Sequence, residues 1–180
     1  MIGDDGDVTQ KFGQSTPESF PLNGWIKIAP DGRITCAVHR AEMGQGVATS
    51  LPMILAEELD ADWADIDFEF APLDNDYYNF GMVRGGRPFG PPESGLWPRI
   101  ATAAMRAQFR RQGVAMTISS TSIIDAWDQL RPAGAAARAM LVAATAKKWG
   151  MPKEFLRTEN SFVIDDKNNR RVSYGDLAEE

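Results

Sequence analysis

Apolar and polar residues alternate over two short runs early in the chain. Trp25, Ile26 and Ile28 form the first, Ile34, Cys36 and Val38 the second, and Pro30-Asp31-Gly32 between them is a hairpin turn signal. Before them the pattern is absent. Residues 1–22 set Asp4, Asp5, Asp7 and Glu18 against Lys11 alone, so they read as a flexible N-terminal lead-in, with structure expected from Trp25. After Met43-Gly44-Gln45-Gly46 the period lengthens. Leu51, Ile54, Leu55 and Leu59 predict an amphipathic helix over about Thr49–Leu59, and Pro52, tolerated only in a first turn, sets its start near Gly46. Ile66, Phe68 and Phe70 then alternate with Asp67 and Glu69, the pattern of a half-buried strand.

Asp74 to Gly95 is rich in Gly and Pro and reads as a long ordered loop. A helix is predicted over Pro98–Gln112, with Ile100, Ala103, Ala104 and Ala107 on one face and Gly113 as its stop. The polar run Thr117–Ser122 leads into the longest helix, which reaches Trp149. Ser122 with Asp125 reads as a capping box there, and Pro132 is expected to kink or break the helix. Gly150 and Pro152 stop it, and Phe162–Ile164 with Val172 and Tyr174 form a last hairpin around Asp165–Asn169. The fold class is α+β: β-hairpins and short strands packed with two or three helices. Ser173–Glu180 opens a helix of about one turn, too short to stand alone in water, so the chain is expected to be a fragment of a longer polypeptide.

Composition narrows the chemistry. The chain has 180 residues, one Cys and one His, so an internal disulfide and a four-ligand zinc site are excluded, and any histidine-dependent nucleophile must use His39. A net charge of −6 argues against nucleic acid as a main partner. Residues 82–115 oppose that balance, with Arg84, Arg87, Arg99, Arg106, Arg110 and Arg111 against Glu93 alone. This Arg-rich insert either faces an anionic cofactor or an acidic partner, or shows a solvated polar face.

Few residues offer chemistry. Met43-Gly44-Gln45-Gly46 exposes backbone N–H groups at a helix start, and a neutral amide between two glycines can donate to an oxo or phosphate oxygen; as plausibly, the glycines serve a strand-to-helix turn. Ser119–Ser122 could bind an anion or simply cap a helix. Glu42 and the pairs Glu57/Glu58 and Asp165/Asp166 read as solvent-facing charges, Cys36 as a small core residue and His39 as structural or exposed.

Longer stretches resemble a known family. Asn23–Gly32 (NGWIKIAPDG), Ala41–Gly46 (AEMGQG) and Leu51–Asp60 (LPMILAEELD) are similar to the large subunit of bacterial molybdenum hydroxylases of the xanthine dehydrogenase/aldehyde oxidase family. Ser120–Trp127, Ala133–Val142 and Tyr174–Ala178 follow in the same order, and the nearest branch is the isoquinoline oxidoreductase beta-subunit type, which includes membrane-bound aldehyde dehydrogenases. The resemblance implies that residues 23–180 are the first segment of a larger molybdopterin-binding domain and form one wall of a molybdenum pocket. By motif, Gln45 would contact the oxo ligand of molybdenum, with Met43, Gly44 and Gly46 around it. Phe80 and Gly81 would lie beside the metal, and Ser120, Thr121 and Ser122 near the pterin.

It further implies a molybdopterin cofactor, as the cytosine dinucleotide, and iron–sulfur clusters on a small subunit. The partners would be the remainder of the large subunit, that small subunit and a cytochrome c subunit. The implied reaction hydroxylates aldehydes or N-heteroaromatics with water-derived oxygen. The implied location is periplasmic or membrane-associated, with a cytoplasmic alternative. Two departures stand out: Ile118-Ser119 occupy the place of the family's Gly-Gly pair, and the family's catalytic glutamate has no counterpart here. The chain alone is therefore expected to be inactive. The competing expectation is a non-catalytic, stand-alone binding or assembly module of the same fold.

Overall fold

A computed structural model describes residues 19–72, 74–81, 95–113 and 115–178. Its first sheet holds β1 (Phe20–Asn23), β2 (Ile26–Ile28), β3 (Ile34–Val38) and β4 (Ile66–Phe70) in that order. The predicted hairpin is present: β2 and β3 pair antiparallel, with the Gly32 N–H donating to the Ala29 carbonyl at 2.9 Å. Strand β4 returns parallel to β3, so helix α1 (Val47–Leu59) is the crossover between them. Helix α2 (Leu96–Gln112) ends at Gly113, as its sequence predicts, and α3 (Ser122–Trp149) crosses the first sheet. A second sheet of β5 (Arg157–Glu159), β6 (Phe162–Asp165) and β7 (Arg170–Ser173) precedes the short α4 (Tyr174–Leu177).

The core lies between the first sheet and the α1/α3 layer. Ile26, Ile28, Ile34, Cys36 and Val38 meet Leu51, Leu55 and Leu59 of α1 and Ala126, Leu130, Ala137 and Leu141 of α3, and all are buried. The small side chains of α3 let the two helices approach closely. At Gly134 a Cβ would stand 2.8 Å from the Leu55 carbonyl oxygen and 2.9 Å from Glu58 Cβ. That contact fixes α1, and with it the loop that precedes α1.

Several sequence expectations are corrected. Ordered chain begins before Trp25, because Phe20–Asn23 finds a partner in β2 that local composition cannot reveal. Strand β4 is an edge strand, and Phe68 and Phe70 are 40% and 57% exposed rather than half-buried, packing on one another at 5.7 Å. Pro132 does not break α3, whose 28 residues run on through it. The Ser122/Asp125 capping box does not form: Thr121 is the N-cap, without a side-chain cap bond, and the Asp125 carboxylate turns inward to a charged partner. Asp165 is buried, held down to about pKa 2 chiefly by the Asn168 amide and then by Arg170. The strand β5, absent from the sequence reading, completes the second sheet. Of the insert arginines, Arg84 and Arg87 lie outside the described residues.

Candidate functional site

Three segments singled out by sequence meet where β3 runs out. Arg40, just beyond β3, turns its guanidinium inward with no exposed side-chain surface. It donates to the carbonyls of His39, Tyr77 and Tyr78 at 2.8, 3.2 and 3.3 Å, and to Asp125 Oδ2 at 2.5 Å. The other carboxylate oxygen of Asp125 accepts the N–H groups of Phe80 and Gly81 at 2.9 and 2.8 Å. Gln129 Nε2 donates to Asp125 Oδ2 at 2.9 Å. Burial pushes the Asp125 carboxyl up, against the pull of Arg40 and of these N–H groups, and burial lowers Arg40. A pair with this many hydrogen bonds persists in a low-dielectric interior because the lone pairs of its carboxylate are met.

Asn79 continues the network. Its Nδ2 donates to the Met116 carbonyl at 2.7 Å and to Thr121 Oγ1 at 2.9 Å, and Thr121 Oγ1 donates to the Ile118 carbonyl at 2.6 Å. The Ala41 N–H donates to Thr117 Oγ1 at 2.8 Å, which ties the Met43–Gly46 loop to residues 117–122. Gly81 is a glycine for packing: a Cβ there would stand 3.0 Å from Thr121 Cβ and 3.1 Å from Asp125 Cβ. Thr121 is fully buried and committed internally, whereas Ser120 is exposed and Ser122 half-buried. Ser119 and Ser120 both adopt left-handed φ of 54°, a conformation that suits glycine, and Ser119 is one of the two residues that stand in place of the Gly-Gly pair.

The Met43–Gly46 loop is exposed and closed on itself. Gly44 and Gly46 have φ of +91° and +82°, and a Cβ on either would meet open space. The Gln45 amide is pinned at both ends: Oε1 accepts the Met43 N–H at 2.6 Å and Nε2 donates to the Ala41 carbonyl at 2.7 Å. An amide nitrogen carries two N–H groups. The second Gln45 N–H has no partner among the described residues. Glu42, read from sequence as a solvent-facing charge, accepts three backbone N–H groups at the start of α1, those of Gly44, Gly46 and Ala48 at 2.7, 3.0 and 2.8 Å. Those bonds, the one from Ala48 foremost, hold its carboxyl below the usual glutamate range.

Sequence reasoning missed Arg40, Asn79, Asp125 and the use made of Glu42. No local signal marks a buried ion pair whose members stand 85 positions apart; for Glu42 the signal was its place just before two glycines and a helix. His39 is buried against Trp25 with ring centroids 4.7 Å apart, and neither ring nitrogen has a partner. Arg106 lies over the Phe80 ring at 5.1 Å and reaches Asp128 at 3.4 Å, while Arg99, Arg110 and Arg111 are exposed. A groove of about 650 Å³ lies among Asn23, Trp25, Tyr77, Tyr78, Arg110 and Gln129, and none of the predicted contact residues lines it. Among the described residues no group of three His, Cys, Asp or Glu side chains could hold a metal ion.

The open face over Gly44 and Gly46 and the outward N–H of Gln45 fit the approach of a flat, anionic group, which would be bound by hydrogen bonds rather than by side-chain ligation. Residues 8–83 match the family model of the molybdopterin cofactor-binding domain, a span that includes Gln45, Phe80 and Gly81 and stops short of Ser120. The chain is 29% identical over 175 residues to an isoquinoline 1-oxidoreductase subunit beta from Brevundimonas diminuta, covering 97% of this chain and 18% of that one. It is also 29% identical over 159 residues to a membrane-bound aldehyde dehydrogenase [pyrroloquinoline-quinone] from Gluconacetobacter polyoxogenes, covering 88% of this chain and 16% of that one. The chain thus spans less than a fifth of the length of these relatives.

Proposed function

We propose that the chain belongs to the molybdenum hydroxylase family and forms part of the cofactor wall in an oxidoreductase subunit acting on aldehydes or N-heteroaromatics, a reading that the matched molybdopterin-binding model and the two relatives support. The observation that supports this reading is that Phe80–Gly81, Asn79 and Thr121 share one buried polar network with Arg40 and Asp125, while Ala41, just before the exposed Met43–Gly46 loop, is tied to Thr117. When bound, the molybdenum cofactor supplies the two-electron oxidation of substrate, with water as the source of the oxygen inserted. This chain's own residues bind and orient. Gln45 offers its outward N–H to a cofactor oxygen, and the glycines beside it leave room for close approach. Asp125 fixes the backbone at Phe80 and Gly81, so that segment keeps its place beside the loop.

The finer features follow the same reading. The cofactor is the cytosine dinucleotide form. Iron–sulfur clusters on a small subunit and a cytochrome c subunit would serve as its redox partners, and the remainder of the large subunit would close the pocket. Met43 and Ser120 are exposed, which leaves them free to meet it. No helix among the described residues is long and apolar enough to cross a membrane.

Gln45→Glu tests the reading in the assembled enzyme. It keeps the side-chain size, removes the donor and sets a negative charge against an anionic group. Molybdenum content or turnover should fall by roughly 10- to 100-fold, with Gln14→Glu as the unaffected control. Equal molybdenum content and turnover in both variants would mean that Gln45 is only a turn residue, and the cofactor-wall reading would lose its main support.

A further inference from the structure

The start of a helix of 13 residues, with glycines on its approach, would ordinarily be an anion site for a ligand. Here the protein fills it from within. Glu42 Oε1 accepts both glycine N–H groups and Oε2 accepts that of Ala48, so one carboxylate takes three donors of the loop and first turn. Gly46 is the N-cap and has no side chain to cap with, and no cation lies within salt-bridge distance of Glu42 among the described residues. The same loop closure sets the distance across which Gln45 reaches back to Ala41 and Met43.

We propose that Glu42 is a positioning residue: its carboxylate closes the Gly44–Gly46 loop and thereby holds the Gln45 amide with one N–H turned outward. What that N–H meets rests on the function proposed above; the positioning is a property of this chain by itself. One consequence distinguishes it from a plain helix cap. With the N–H groups of Gly44, Gly46 and Ala48 already taken by Glu42, an incoming group meets the neutral Gln45 amide at one defined point rather than an open helix start. The loop is selective for a single oxygen at that point rather than for anions in general. Glu42→Gln cannot reproduce the bonding, since one carboxylate oxygen becomes an N–H₂ that faces an N–H donor. Glu42→Asp keeps both oxygens but falls one methylene short.

The test is nuclear magnetic resonance on the full 180-residue chain labelled with ¹⁵N at Gln and Gly, held monomeric by dilution or mild detergent. In the wild type, one Gln45 Nε2 proton should be shifted from its free-amide position and slow to exchange, as the bond to the Ala41 carbonyl requires. In Glu42→Ala and Glu42→Gln they should move to free-amide positions, and exchange at the Gly44 and Gly46 N–H groups should quicken by about tenfold or more. Gly134, in the middle of α3, should be unchanged, which separates local release from lost stability. Unchanged Gln45 side-chain signals in Glu42→Ala would overturn the proposal. If the variants do not fold, acid titration of the wild type serves: protonating Glu42 should release the same amides ahead of Gly134, and joint release with Gly134 would overturn the proposal. A freed Gln45 amide in Glu42→Ala, with molybdenum content of the Gln45→Glu enzyme unaltered, would leave the positioning role standing and remove the cofactor contact.

Discussion

His39 illustrates how a single residue can carry a burden its neighbours do not relieve. It is 8% exposed and packed between Trp25 and Tyr77, and burial together with the adjacent Arg40 charge lowers it to about pKa 2. An unfolded histidine titrates near 6.5, so between those values the unfolded state binds the extra proton and stability falls as pH drops below 6.5. The slope from this residue is about 1.4 kcal/mol per pH unit. Chemical denaturation between pH 7 and 5 should show it, and His39→Leu, which removes no hydrogen bond, should flatten it; an unchanged slope would show that other groups set the acid response. Asp125 carries a larger share of the fold. Asp125→Ala would leave the Arg40 charge and the Phe80 and Gly81 N–H groups unmatched, and should cost about 3–5 kcal/mol of stability by denaturant titration.

At the scale of elements, the approach of α1 to α3 decides where the Gln45 loop sits. Gly134→Val would drive side-chain atoms against the Leu55 carbonyl and Glu58, and neither backbone nor Cβ can swing aside. The helices must part, at a cost of about 1–3 kcal/mol, and the melting temperature should drop while far-ultraviolet circular dichroism keeps its helical shape. A melting temperature equal to wild type would mean that the contact is loose. The helices themselves were legible because α1 carries an apolar period, and α2 and α3 end at Gly113 and Gly150. Their partners were not. The burial pattern of β4 follows from its place at the edge beside β3, which the alternation of Ile66, Phe68 and Phe70 does not encode.

Across the whole molecule the polar network is buried while much apolar surface is not. Met43, Trp63, Phe68, Phe70, Leu96 and Trp97 are all at least 40% exposed, Trp97 at 78%. Monomers seldom leave so many large side chains in water. The relatives are more than five times as long as the aligned part, so surface of this kind has chain to cover it there. Expressed by itself, the 180-residue chain should self-associate and bind an apolar dye, as read by light scattering and fluorescence. A monodisperse monomer without dye binding would support the stand-alone module.

The sequence by itself determined the local order: the first hairpin, α1 after the Gly-Gln-Gly turn, α2 and α3 with their glycine stops, the last hairpin, and the motifs that mark the family. Each of these is written in neighbouring residues, through apolar period, turn chemistry or a run of identities. The tertiary structure alone decided which charges are buried and what the loop donors do. Asp125 could cap α3 by its position, yet it pairs with Arg40, because two buried charges far apart in sequence satisfy one another only once the chain is folded. The same holds for the loop: Gln45 is conspicuous in the sequence, but the direction of its amide is set by Ala41, Met43 and the carboxylate of Glu42. Hydrogen-bond geometry depends on where the backbone turns, and residue identity alone does not carry it.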